Sequence, residues 1–176
     1  MGHHQTDKEN FALKKSTIAV IAIITALAIA VAVLFALNWG AIQDRQQILL
    51  NGELHLTHTT TGETYVITVV DFESLNPQPL QAVLRGGGRP GEEVEFRAVP
   101  FRDLLAALIP MQDSVVYNVV FSAVDGFAAV LPQDEAEQAA YIALCPDFGP
   151  FRLIIPSDHF AQRWVHRLTN IEIGLF

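Results

Sequence analysis

Residues 115–144 read VVYNVVFSAVDGFAAVLPQDEAEQAAYIAL, and this stretch decides the fold class. Val115 to Val120 is a β-branched and aromatic run of the kind that fills a buried strand. Asp125-Gly126 marks a tight turn, and Phe127 to Leu131 returns as a second strand. Beyond Pro132, the residues Gln133 to Leu144 predict a helix with Asp134, Glu135 and Glu137 near its start, where the helix dipole favours negative charge. Strand, turn, strand and helix within thirty residues point to an α+β domain.

The same alternation extends outward in both directions. Phe151 to Ile155 predicts a strand stopped by Pro156, and Trp164 to Ile173 alternates toward the C-terminus. Upstream, Phe101 to Ile109 predicts a short helix with Phe101, Leu104, Leu105 and Leu108 on one face and Pro110 ending it. Glu92 to Phe96 predicts a strand, entered from the glycine-rich connection Arg85-Gly-Gly-Gly-Arg89-Pro-Gly91. Leu54-His-Leu56 and Tyr65 to Val70 predict strands around a turn at Thr59-Thr-Thr-Gly62, and Asp71 to Leu75 a short helix before Asn76-Pro77-Gln-Pro79. Residues 53–176 are enough for one domain with its own core.

The N-terminal part is different in kind. The chain has 176 residues, 51% hydrophobic and 17% charged, with a mean hydropathy of +0.30. The excess sits between Ile18 and Leu37, twenty residues whose one polar side chain is Thr25. Without them, 70 of the other 156 residues are hydrophobic, an ordinary globular proportion. Twenty residues make a helix of roughly 30 Å, the thickness of a bilayer hydrocarbon core. The expectation is a single transmembrane helix over residues 16–38. A cytoplasmic tail of 1–15 precedes it, a stalk of 39–52 follows, and a globular domain of 53–176 lies on the far side.

Lys14 and Lys15 before the apolar run and Trp39 after it place the N-terminus in the cytoplasm and the domain in the periplasm or its equivalent. The run is longer than the core of a signal peptide and has no small-x-small site just after it, which argues for an uncleaved anchor. Residues 39–176 carry eight arginines against seventeen acids, a balance of −9, and contain no lysine. That charge argues against nucleic acid and against electrostatic docking on anionic lipid. The one cysteine, Cys145, excludes an internal disulfide and a cysteine-based zinc site.

Four segments in order carry a resemblance. They are Val99-Pro-Phe-Arg-Asp-Leu-Leu-Ala-Ala-Leu108, Val119 to Phe127 with Leu131-Pro132, Phe148-Gly-Pro-Phe-Arg-Leu-Ile-Ile-Pro156, and Arg163-Trp-Val-His-Arg167 leading into Ile171-Glu-Ile173. Together they resemble the sulfite-oxidase-type molybdopterin-binding domain over residues 94–173. The resemblance implies that fold. It also implies a cysteine thiolate on molybdenum upstream of the Val99 helix, and no cysteine stands between Leu80 and Phe96. A soft metal needs such a ligand. The resemblance thus implies a degenerate member with no catalytic residues and no metal ligand. Arg163, with Arg85 and Arg89 of the glycine-rich connection, is what remains of an anion or pterin site.

The function expected on these grounds is a non-catalytic accessory or interaction subunit of a larger membrane complex, respiratory or photosynthetic electron transfer being suggested by the fold's usual company. It would carry no cofactor and have protein partners. The alternatives are a molybdopterin-dependent oxidoreductase that uses Arg163 and the Arg85–Arg89 connection, and a small-ligand sensor. Other chemistry has weaker footing. His55 and His58 point to opposite faces of a strand, and His159 and His166 do not converge on one. Cys145 has no cationic neighbour in sequence and reads as a buried, inert thiol. Neither Ser122 nor Ser157 lies in a Gly-x-Ser-x-Gly elbow. Glu92, Glu93 and Glu95 read as solvated surface.

Overall fold

The computed structural model describes residues 6–84, 91–109, 117–145 and 149–174, the side chains of 6–19, 37–38 and 41 excepted. The chain forms two compact units, Met1–Ala41 and Ile42–Phe176. Helix α1 runs from Thr6 to Asn51. The stretch expected as a stalk is therefore helical to Asn51, where Gly52 takes up a positive φ of 69° and turns the chain into the first strand.

The transmembrane expectation is corrected here. Among the described residues, no helix is long and apolar enough to cross a membrane. Residues 20–36 lie within α1. Their composition is as apolar as expected, and their large side chains stand exposed. Val20, Ile24, Leu27, Val31, Leu34 and Phe35 are each more than half accessible.

The second unit is α+β. In chain order it carries β1 (Glu53–His58), β2 (Thr64–Thr68), α2 (Val69–Ser74), β3 (Gln78–Leu84), β4 (Glu92–Pro100) and α3 (Phe101–Leu108). There follow β5 (Asn118–Ala123), β6 (Ala128–Pro132), α4 (Gln133–Ala139), β7 (Tyr141–Leu144), β8 (Phe151–Ile154), a 3-10 turn at Ala161–Arg163, and β9 (Leu168–Gly174). One sheet has the order β2-β1-β9-β5-β6 and is mixed, because β1 and β9 are parallel while the other pairs are antiparallel. The other has the order β3-β4-β7-β8 and is antiparallel throughout.

Alternation explains the first sheet. In β1, Leu54 and Leu56 are fully buried while His55 and Thr57 are not, the period-2 signature of a half-buried strand. In the second sheet, all four residues of β8 are buried. A single apolar cluster joins both sheets and the three short helices. It includes Leu54 and Phe121 from one sheet, Phe96 and Phe151 from the other, and Phe72, Phe101 and Ala136 from α2, α3 and α4. Edge-to-face ring pairs stitch it together, Phe101 to Phe121 at 5.2 Å and Phe72 to Phe151 at 5.4 Å. The close of β9 is equally specified. Thr59 donates through both its backbone N–H and its hydroxyl to the carbonyl of Ile173, and a Cβ at Gly174 would collide with that hydroxyl.

Candidate functional site

Strand register brings the most unusual side chains of the molecule to one face of the second sheet. Ala143 stands opposite Arg152 across β7 and β8, and Ala98 opposite Ala143 across β4 and β7. Counting by two along each strand puts Phe96, Ala143, Cys145 and Arg152 on the same face. Cys145 extends the β7–β8 pairing by donating its backbone N–H to the carbonyl of Pro150 at 3.1 Å. It is thus the diagonal neighbour of Arg152, within reach of a long side chain.

Segment 164–166 closes the other side. The backbone N–H of Leu153 donates to the carbonyl of Val165 at 2.9 Å, and the indole N–H of Trp164 to that of Ile155, also at 2.9 Å. These bonds lay residues 164–166 along the outer edge of β8. They deliver Trp164 and His166 to the guanidinium of Arg152.

Arg152 is 4% exposed. Its guanidinium carbon lies 5.5 Å from the centroid of the Phe96 ring and 5.4 Å from that of Trp164, an aromatic pair whose π faces attract the cation. Nη2 donates to Nε2 of His166 at 2.7 Å, while Nε has no hydrogen-bond partner. Among the described residues no carboxylate forms an ion pair with it. Burial pushes the Arg152 pKa below the usual arginine value, and the nearby Cys145 sulfur acts the other way. An arginine so placed still keeps its proton. Since its N–H is the donor, Nε2 of His166 is the acceptor and that imidazole is neutral. Burial also holds His166 below the ordinary histidine value, the Arg152 charge adds to the effect, and Asp125 opposes it.

The expectation for Cys145 changes accordingly. No cation precedes or follows it closely in sequence, but β8 brings one across the strand pair. Cys145 is also partly exposed rather than buried. The signal for Arg152 was in plain view: it is the one charged residue inside the apolar run Phe151 to Ile155. A charge in a strand that buries every residue is the informative exception.

Arg163 is placed by the 3-10 turn and is already engaged. Its Nε donates to Oδ2 of Asp158 at 3.1 Å, Nη2 bonds the other Asp158 oxygen, and Nη2 also lies 2.7 Å from Oε1 of Glu135. These carboxylates raise the pKa of Arg163 above even the usual arginine value, Asp158 more than Glu135. An oxyanion approaching Arg163 would meet two carboxylates. Arg85 and Arg89, expected to share an anion site with it, lie outside the described residues.

The histidines of β1 have local partners, His55 with Glu53 at 3.1 Å and His58 Nδ1 accepting from the Thr61 N–H at 3.3 Å. His159 packs edge-on against Phe160. Glu92, Glu93 and Glu95 are exposed, as expected of solvated surface. Among the described residues, no three His, Cys, Asp or Glu side chains gather as a metal site would require.

A molybdopterin group, implied by the resemblance, does not fit the residues present. The chain's one cysteine faces a buried guanidinium set beside two aromatic rings, and Arg163 carries its own two carboxylates. No protein-family model matches the chain, and no curated protein sequence matches it.

Proposed function

We propose that this chain is a non-catalytic accessory subunit of a larger membrane-associated assembly, its α+β unit a degenerate relative of the molybdopterin-binding domain. The observation that carries the reading is the surface of α1 over residues 20–36. Val20, Ile21, Ile23, Ile24, Leu27, Ile29, Val31, Val33, Leu34 and Phe35 are all more than half exposed. At 100° per residue these positions cover the whole circumference of the helix. A helix apolar all round is covered in its working state, and the reading assigns that cover to partner polypeptides. The order of the four motif segments along β4–α3, β5–β6, β8 and β9 supports the scaffold. The engagement of Arg163 by Asp158 and Glu135 supports a domain that displays a surface rather than one that holds an anionic group.

A photo-crosslinking residue placed at Leu27 or Val31 in the native cell tests this. The expected result is a discrete adduct with one heterologous polypeptide that persists through purification in mild detergent. Adducts with this chain alone, or none from either position, would overturn the reading.

A further inference from the structure

Beyond its role as a subunit, the surroundings of Cys145 supply a chemistry of their own. A guanidinium that is 4% exposed faces the thiol, and among the described residues it has no carboxylate partner. Its Nε–H has no acceptor, although an unmet buried donor is costly. The remaining neighbours of the cation are the rings of Phe96 and Trp164 and the neutral imidazole of His166, and none of these carries a formal negative charge. The sulfur thus faces a positive charge that has no counter-ion among the described residues, and Cys145 is exposed enough for a small oxidant to reach.

We propose that Cys145 is a redox-modification site, oxidised by a hydroperoxide to a sulfenate whose new oxygen accepts the unmet Nε–H of Arg152. In the step, the sulfur lone pair attacks the outer oxygen of the hydroperoxide. An S–O bond forms, the O–O bond breaks, and the leaving alkoxide or hydroxide takes up the proton released by the thiol. Sulfur is oxidised by two electrons, the peroxide is reduced to alcohol or water, and the sulfenic acid so formed releases its proton to solvent to give the sulfenate. Arg152 assists twice, first by placing its positive charge beside the attacking sulfur and then by holding the sulfenate oxygen. The chain has no second cysteine to form an intramolecular disulfide, so return to the thiol requires an external thiol reductant.

The test is hydrogen peroxide treatment of the full-length protein, with dimedone trapping and mass spectrometry at Cys145. Folded wild type is expected to form the sulfenate at least about tenfold faster than the same chain in urea, the scale of one charge-assisted hydrogen bond. Arg152→Met should bring the folded rate close to the urea value. Arg152→Lys, which keeps the charge but has no Nε donor, should preserve the initial rate and shorten the lifetime of the adduct before trapping. A folded wild-type rate equal to or below the urea rate overturns the proposal without recourse to any variant. So does a folded Arg152→Met protein that reacts like wild type.

Discussion

Arg152 is a cation in a strand whose other three residues are apolar and fully buried. Removing a charge from water is costly unless hydrogen bonds and oriented dipoles replace the lost solvation. Here the faces of Phe96 and Trp164 and the imidazole of His166 share that task. His166 must stay neutral to accept the bond, and this sets a pH dependence. Its folded-state pKa lies below the ordinary histidine value, so between the two the unfolded chain binds more protons than the folded one. By linkage, stability rises with pH through that window, is fully present above about 6.5, and is lost as the solution is acidified. Urea midpoints measured from pH 7.5 down to 5 should fall, and His166→Gln should flatten that decline. The sequence displays this residue as a charge among apolar neighbours. Its partners lie on β4, β7 and segment 164–166, and no spacing rule could join them.

At the scale of elements, short helices stand or fall on their ends. Helix α2 begins with a capping box, in which Thr68 Oγ1 accepts the Asp71 N–H at 3.2 Å and Asp71 Oδ2 accepts the Thr68 N–H at 3.0 Å. The Thr68 hydroxyl, which donates to Asp71 Oδ2 at 2.7 Å, and then the Thr68 N–H hold the Asp71 carboxyl below the usual aspartate range. Farther along, Glu73 forms a two-point pair with Arg97 of β4, at 2.7 and 2.6 Å, in the open. Thr68→Ala is expected to cost about 1 kcal/mol, and Arg97→Ala less than that, because its ion pair with Glu73 stands in solvent. Denaturant titration of both variants checks that ordering.

The elements also show what periodicity can and cannot read. Helix α3 and the strands β5, β6 and β8 fall within a few residues of expectation, because apolar spacing and the Asp125-Gly126 turn act locally. The helix expected from Gln133 to Leu144 ends at Ala139, and Tyr141–Leu144 is strand β7. A four-residue apolar run has no period of its own, and pairing with both β4 and β8 decides it. Strand β3 was missed because Pro77 and Pro79 read as breakers. It is an edge strand, the one place in a sheet where proline is tolerated.

For the molecule as a whole, composition separates the apolar stretch Ile18 to Leu37 from an acidic remainder, and the chain forms two compact units, Met1–Ala41 and Ile42–Phe176. Composition did not establish a membrane crossing, since among the described residues no helix is long and apolar enough for one. It showed how apolar residues 20–36 are without showing what covers them. We propose that the α+β unit serves as a partner-binding scaffold and not as a molybdenum enzyme. The most direct measurement is metal and pterin content per mole of chain, made on the assembly purified intact from its native source. The account predicts a stable complex in which neither molybdenum nor pterin reaches stoichiometry with this chain. One molybdenum and one pterin per chain, retained when the partners are stripped away, would contradict it.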